Sequence, residues 1–150
     1  MIPDIRAKVH EVLVPGPSEG EVPIRSEVDI VTARKAVRDV AVGLGFGVTD
    51  VTRIVTAASE LARNSFLYAG AGVMRWRTLD KAGKSAIELV FEDFGPGIPD
   101  VEQAMQEGYT SSGGLGMGLP GTKRLMDEME ICSEPGKGTT VTVRKWRMKL

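Results

Sequence analysis

Two polar residues with metal-binding and catalytic chemistry stand four residues apart in the stretch ELARN, at Glu60 and Asn64. On an α-helix this spacing places both side chains on one face, while the neighbouring Leu61 and Ala62 point elsewhere. A carboxylate and an amide oxygen side by side suit a magnesium ion, or a water or hydroxyl held beside it. The alternative interpretation is a solvated polar pair of the i,i+4 type.

A second candidate is the stretch DFGPGIP, residues 93–99. Asp93 follows an apolar run typical of a strand, and Gly95 and Gly97 come directly after it. Glycines let a backbone approach a ligand closely. A carboxylate at a strand end can accept a hydrogen bond from an exocyclic amine such as the N6 group of adenine. The structural alternative is an Asx turn.

Two further glycine-rich stretches follow, GGLGMGL at 113–119 and GKGTTV at 136–141. The first lacks bulky side chains just before a helical pattern, so its backbone N–H groups and the helix N-terminus could close on a polyphosphate. The alternative interpretation is a mobile linker. Its glycines are Gly113, Gly114, Gly116 and Gly118.

Other phosphate-binding motifs do not fit. The GKS at 83–85 lacks the glycine that a P-loop requires at position 78, which is Thr78. Gly116, Gly118 and Gly121 satisfy G-x-G-x-x-G, but they follow a Ser/Gly loop and not the strand of a dinucleotide-binding unit. A protein kinase of the common type needs an H-R-D loop, and the single histidine is His10.

The elements that must position these groups can be read from periodicity. Ser26 or Asp29 can cap a helix of about four turns that ends near glycines 43, 45 and 47. A second helix runs from about Thr49 to the stretch YAGAG. Its predicted apolar face consists of Val51, Ile54, Val55, Ala58, Leu61 and Ala62. Glu60 and Asn64 therefore belong to this second helix.

Strands are predicted before and after these helices, at 22–25, 72–79 and 85–93, with DKAGK as a hairpin linker. Asp100 and Gln103 fit a capping box for a short helix through Glu107. A loop at 108–118, a helix at 119–129 and a final hairpin at 130–146 complete the pattern. The order predicts an α+β fold with a mixed, mostly antiparallel sheet and helices on one face.

Composition restricts the class of protein. A chain of 150 residues can form one domain with a substantial core, with residues 1–20 predicted as an N-terminal strand and loop. The net charge of −1 and the absence of like-charge blocks indicate neither a nucleic-acid footprint nor a membrane-binding face. With one cysteine, no export signal and no long apolar run, we expect a cytoplasmic protein.

The four stretches, in this order, resemble the N, G1, G2 and G3 boxes of the GHKL ATPase superfamily. That resemblance implies the Bergerat fold, a two-layer α/β sandwich with an ATP site. FEDFGPGIPDVEQAM and GGLGMGLPGTKRLMDEMEI further resemble the small RsbT-like serine/threonine switch kinases of the stressosome. This closer resemblance extends over nearly the whole chain.

The resemblance also implies roles for individual residues. Glu60 would act as general base or orient the acceptor hydroxyl, and Asn64 would coordinate Mg²⁺. Asp93 would hold the adenine amine, with Thr139 supporting it through water. Arg63 and Lys123 lie close enough in sequence to touch phosphate, without a defined direction. The glycines implied around the base and ribose are Gly95 and Gly97, and those implied for the lid are Gly113, Gly114, Gly116 and Gly118.

The function implied is ATP-dependent phosphorylation of STAS-domain stressosome proteins, followed by release and activation of a downstream phosphatase by binding. Sensor histidine kinases, type II topoisomerases, mismatch-repair proteins and Hsp90 chaperones share the pocket but need further modules, for which 150 residues leave no room. An anti-sigma factor, which sequesters a sigma subunit and phosphorylates an anti-anti-sigma protein, is the alternative.

Overall fold

Antiparallel strands and four helices form two layers in the computed structural model, which describes residues 19–106 and 118–148. The strands are β1 (Glu19–Ile24), β2 (Gly72–Lys81), β3 (Lys84–Asp93), β4 (Glu128–Glu134) and β5 (Gly138–Met148). The helices are α1 (Glu27–Gly43), α2 (Val48–Ala69), α3 (Val101–Ala104) and α4 (Gly118–Leu125). The predicted order of elements is confirmed over these residues.

The five strands form one sheet in the order β1-β2-β3-β5-β4, and each neighbouring pair is antiparallel. Over the described residues, therefore, the sheet expected to be mixed and mostly antiparallel is wholly antiparallel. Successive strand residues face opposite sides, so one face packs against the helices and the other is open. On the helix side, Met74, Leu89 and Val143 are completely buried.

The long helix α2 packs against the sheet and against α1, and α1 also contacts β1. Its predicted apolar face is confirmed, because Ile54, Ala58 and Leu61 are buried. Helix α1 packs on α2 through Ile30 and Val37, at the helical spacing read from the sequence. None of the helices in the described part of the chain is long and apolar enough to cross a membrane.

Strand β1 begins earlier than predicted. Glu19 and Gly20, expected in the N-terminal loop, pair with Arg77 and Trp76 of β2. A Cβ atom at Gly20 would lie 2.4 Å from the Trp76 ring, so only glycine leaves room for that side chain. Tertiary packing here overrides the weak strand propensity of glycine. Residues 1–18, with the predicted strand at Val9 to Val14, lie outside the described residues.

Helix α4 ends at Leu125, so the prediction of a helix through Met129 was wrong. Lys145 of β5 donates a hydrogen bond to the Leu125 carbonyl at 3.1 Å, which places a cation at the helix C-terminus. Asp127 then joins the sheet by accepting the Trp146 N–H at 2.8 Å. Both partners come from β5, so neither contact is visible in the local sequence.

Candidate nucleotide and phosphotransfer site

Asp93 and Thr139 lie directly opposite each other where β3 ends and β5 begins, on the face that the helices cover. Thr139 in turn pairs with Ser133 of β4, and the Ser133 and Thr139 hydroxyl oxygens are 2.8 Å apart. Antiparallel register therefore brings three polar side chains from separate stretches to one corner of the sheet. Sequence reasoning identified Asp93 and Thr139 but missed Ser133.

The Asp93 carboxylate makes the Asx turn that was the structural alternative, since its Oδ1 accepts the Gly95 N–H at 3.0 Å. A carboxylate has two oxygens with several acceptor positions. Oδ2 accepts no hydrogen bond from the described residues. The turn thus fixes the carboxylate through one of its two oxygens.

The loop after β3 is packed tightly because it contains glycines. A Cβ at Gly95 would lie 2.6 Å from Ala69 at the end of α2. Gly97 has φ of 80°, and a Cβ there would lie 2.4 Å from the Glu134 carbonyl oxygen. The Gly136 N–H also donates to the Pro96 carbonyl at 2.8 Å. These glycines let the loop dock between α2 and the β4–β5 hairpin.

Glu60 and Asn64 lie on one face of α2, and both are partly buried. Arg63 donates to Glu60 Oε1 at 3.0 Å, and the Glu60 side chain is only 12% exposed. The sequence left the orientation of the Arg63 side chain open, and in the structure this side chain points to Glu60. The carboxylate is held by an adjacent guanidinium and is not a freely solvated group.

The geometry of α2 gives the distances of these residues, along the helix axis, from the loop that follows Asp93 and contains Gly95 and Gly97, here called the Asp93 loop. Because Ala69 contacts that loop and each helical residue rises about 1.5 Å, Asn64 lies roughly 7.5 Å along the axis from the contact. Glu60 lies roughly 14 Å along the axis from it. Along the helix axis, Asn64 is therefore closer to the Asp93 loop than Glu60 is.

The predicted phosphate lid lies mostly outside the described residues, since Gly113, Gly114 and Gly116 fall between 107 and 117. Gly118 is described: it begins α4 with φ of 69°, and its carbonyl accepts the buried Thr122 hydroxyl at 3.0 Å. Lys123 on the same helix is exposed. The phosphate roles of Gly118 and Lys123 remain predictions.

A buried serine beside this corner was also missed. Ser65 follows Asn64, its side chain is 4% exposed, and its hydroxyl donates to the Leu61 carbonyl at 3.3 Å. It packs against Gly72, where a Cβ would lie 3.0 Å from the serine Cβ, and Gly72 is the register partner of Asp93. A polar residue on the buried side of an otherwise apolar helix was the signal for it.

Within residues 19–106 and 118–148, no group of three or more His, Cys, Asp or Glu side chains is arranged to hold a metal ion. A magnesium ion bound to a nucleotide does not need one, because phosphates and waters supply most of its six ligands. One amide oxygen at Asn64 is compatible with that mode of binding. The donor set therefore fits a nucleotide-bound cation better than a protein-only metal site.

Residues 49–149 match the sequence family described as histidine kinase-, DNA gyrase B- and HSP90-like ATPase. The chain belongs to this ATPase family. The match includes all four stretches singled out in the sequence. It confirms the expected GHKL superfamily and, with it, the fold class.

Relatives within this ATPase family are similar over most of the chain. The serine/threonine-protein kinase RsbT of Bacillus subtilis is 51% identical over 123 residues, which cover 82% of this chain and 92% of RsbT. An anti-sigma F factor of Caldanaerobacter subterraneus is 36% identical over 120 residues, covering 76% of this chain and 82% of its own. The chain is therefore a homologue of a serine/threonine kinase.

A solved structure shares the fold. The crystal structure of the RsbU and RsbW domains of a Mycobacterium tuberculosis protein superposes with a TM-score of 0.61 at 21% identity. The match covers 90% of this chain and 34% of the crystallised one, so this chain spans about a third of that protein.

Proposed function

We propose that this protein is an ATP-dependent serine/threonine kinase that acts as a signalling switch. The observation that carries the proposal is the arrangement of α2, which presents Glu60 and Asn64 on one face and packs its C-terminal end against the Asp93 loop. A base-binding corner, a metal-binding amide and a carboxylate then follow one another along a single rigid helix. The similarity to RsbT supports the same reaction.

In this proposal the adenine amino group donates to Asp93 Oδ2, and Thr139 supports the base beside it. Gly95 and Gly97 would bring the backbone close to the base and ribose, and the glycines of the stretch 113–118 are the ones that the resemblance assigns to the phosphates. Asn64 would hold a Mg²⁺ ion, which would supply neutralisation of phosphate charge. Phosphoryl transfer depends mostly on such positioning and charge neutralisation, so this small set of groups suffices.

Glu60 would accept the proton of the acceptor serine or threonine hydroxyl. The hydroxyl oxygen forms a bond to the γ-phosphorus, the bond from that phosphorus to the bridging oxygen breaks, and ADP leaves with the electron pair. Arg63 contacts Glu60 at 3.0 Å and so orients the carboxylate before the substrate arrives. A general base of this kind typically contributes a factor of about 10² to 10⁴ in rate.

The partners proposed are STAS-domain stressosome proteins as substrates and a downstream phosphatase that the released kinase activates by binding. The proposed location is the cytoplasm, as expected from the sequence. Identity of 51% over 92% of RsbT supports this assignment more strongly than any other comparison reported above.

An anti-sigma factor is the second candidate function, favoured by relatives such as the anti-sigma F factor that is 36% identical over 76% of this chain. Such a protein would also bind ATP and phosphorylate a protein, but it would hold a sigma subunit as well. The two functions share the catalytic site, so they must be separated by partner binding.

The test measures both phosphoryl transfer to candidate substrates and binding of candidate partner proteins. The purified chain is incubated with γ-labelled ATP and Mg²⁺ together with STAS-domain proteins of its own organism, and label on serine or threonine is measured. Parallel pull-downs use those STAS proteins and the sigma factors as prey. We expect label on a STAS protein that is lost in Glu60→Ala. Stable capture of a sigma factor would replace the switch-kinase proposal with the anti-sigma function.

A further inference from the structure

Ser133 lies at the centre of a hydrogen-bond network beneath the proposed base site. Its Oγ accepts the Ile98 N–H at 2.7 Å, donates to the Gly138 carbonyl at 3.2 Å and lies 2.8 Å from the Thr139 hydroxyl oxygen. Ile98 belongs to the loop that follows Asp93, whereas Gly138 and Thr139 begin β5. One hydroxyl therefore joins the loop to both strands of the terminal hairpin.

Counting protons decides the direction of the bond between the two hydroxyls. A serine hydroxyl has one proton and two lone pairs. If Ser133 gives its proton to the Gly138 carbonyl, its lone pairs accept from Ile98 N–H and Thr139 O–H, and all three contacts are hydrogen bonds. If Ser133 donates to Thr139 instead, the contact to the Gly138 carbonyl is lost. Only the first arrangement satisfies every contact.

The direction of this bond determines what Thr139 offers to a ligand. With its proton committed to Ser133, the Thr139 oxygen has only lone pairs left to present. The neighbouring Asp93 carboxylate also only accepts. The corner then consists of two acceptors side by side.

We propose that Ser133 is a positioning residue that makes this corner acceptor-only and thereby selects a purine with a 6-amino group over one with a 6-oxo group. The inference rests on the proposed function, since it takes the corner to be the base site. A 6-amino group brings donors to Asp93 and Thr139, whereas a 6-oxo group brings an acceptor. Acceptors facing acceptors leave buried polar atoms unpaired, which opposes binding.

The test compares ADP with inosine diphosphate, which has a carbonyl oxygen at position 6 in place of the amino group and a proton on N1. Purine riboside diphosphate, which lacks the 6-substituent and keeps N1 unprotonated, separates the two changes. Dissociation constants for all three, with Mg²⁺, are measured by calorimetry for the wild-type chain, Ser133→Ala and Ser133→Thr. In Ser133→Ala the Thr139 hydroxyl is free to turn and donate. We expect the ADP preference to fall about three- to tenfold, the range of one hydrogen bond. Ser133→Thr keeps the hydroxyl and should restore the preference.

The matched control is Cys132→Ser, because Cys132 is exposed and its side chain faces the opposite side of β4. Its nucleotide preference should equal that of the wild type. A double-mutant cycle with Thr139→Val provides a readout that loosened packing alone would not move. In that background Ser133→Ala should leave the preference unchanged, since Ser133 acts through Thr139.

The outcomes separate this inference from the function on which it rests. An unchanged preference in a folded Ser133→Ala chain, or the same fall with Thr139→Val present, overturns the role of Ser133 alone. Failure of the wild-type chain to bind ADP overturns both proposals. If Ser133→Ala does not fold by circular dichroism, Ser133→Cys replaces it. A thiol is a weak donor and acceptor, so a smaller fall in preference is expected. An unchanged preference in Ser133→Cys would overturn the inference.

Discussion

Asn64 and Glu60 share a helical face but are assigned different chemistry, so their removal should have different consequences. Asn64→Ala deletes the proposed metal ligand and should abolish Mg²⁺-dependent ATP binding and transfer. Glu60→Ala should lower turnover by about 10² or more while leaving nucleotide affinity close to wild type. Calorimetry with and without Mg²⁺, beside single-turnover kinetics, makes the comparison. Equal loss of binding in both variants would contradict the assigned roles.

Asp93→Asn tests the proposed hydrogen bond between Asp93 and the amino group of the base. The asparagine oxygen can still accept the Gly95 N–H, but an NH₂ group then faces the amino group of the base, donor against donor. We expect affinity for ADP to fall by about tenfold or more, as for loss of a hydrogen bond to a charged group. Glu92→Gln is the matched control, because Glu92 points to the open face and pairs with Arg75 at 3.0 Å. Unchanged affinity in Asp93→Asn would remove this residue from the site.

Among the elements, the docking of the Asp93 loop on the β4–β5 hairpin depends on Gly97. Gly97→Ala combines a left-handed φ of 80° with a Cβ placed 2.4 Å from the Glu134 carbonyl oxygen. Gly136→Ala is the matched control, since its φ is 78° but no atom lies within 4 Å of the new Cβ. Chemical denaturation should show about 1 kcal/mol lost at Gly136, from φ strain alone.

Gly97→Ala should lose clearly more than Gly136→Ala, because the added methyl group meets backbone that cannot rotate away. We also expect weaker ADP binding in Gly97→Ala alone, since the displaced loop carries the turn that fixes Asp93. Equal losses of stability in the two variants would mean that the loop can shift without cost and that its docking is not specific.

For the whole molecule, the open face of the sheet carries ion pairs that the site does not use. Glu88 is 4% exposed and accepts from Arg77 at 2.5 Å and from Arg144 at 2.6 Å. Burial alone would raise the pKa of Glu88, but the hydrogen bonds from Arg77 and Arg144 outweigh it and hold the pKa below its ordinary value. The charged carboxylate therefore stabilises the fold.

Glu88→Gln should lower the free energy of unfolding by about 2 kcal/mol at pH 7, the scale of a hydrogen bond to a charged group. Because the folded pKa is lowered, this contribution is complete above the unfolded value of about 4.5 and is lost as pH falls through the folded pKa. The difference between variant and wild type should thus shrink below about pH 4.5 in denaturation curves.

Glu21→Gln is the control for this pair, since Glu21 is 60% exposed and contacts Arg75 on the same face. Exposed ion pairs of this kind contribute about 0 to 1 kcal/mol. A loss at Glu88 no larger than that at Glu21, or one independent of pH down to strong acid, would contradict a stabilising buried carboxylate.

Local sequence patterns were sufficient to predict much of the fold of this molecule. Apolar spacing placed both long helices and their buried faces, because a helix must turn its apolar side to the core. Four stretches in register identified the ATPase family, and the proposed site residues Asp93, Thr139, Glu60 and Asn64 all lie in them. Asp100 was predicted to cap α3, and its carboxylate does accept the Gln103 N–H at 3.0 Å.

Other features arise from partners distant in the sequence. The end of α4 depends on Lys145, and the early start of β1 depends on the space that Gly20 leaves for Trp76. Glu92, which has no predicted role, pairs with Arg75.

The sequence by itself determined the family and the faces of the helices, and it supplied the candidate site residues, because those depend on short-range spacing. Only the tertiary structure decided how they are arranged. Strand register set Asp93 beside Thr139 and Ser133, and packing of Gly95 on Ala69 joined that corner to α2. The physical reason is that register and loop docking depend on pairing between residues far apart in the chain, which no local pattern specifies.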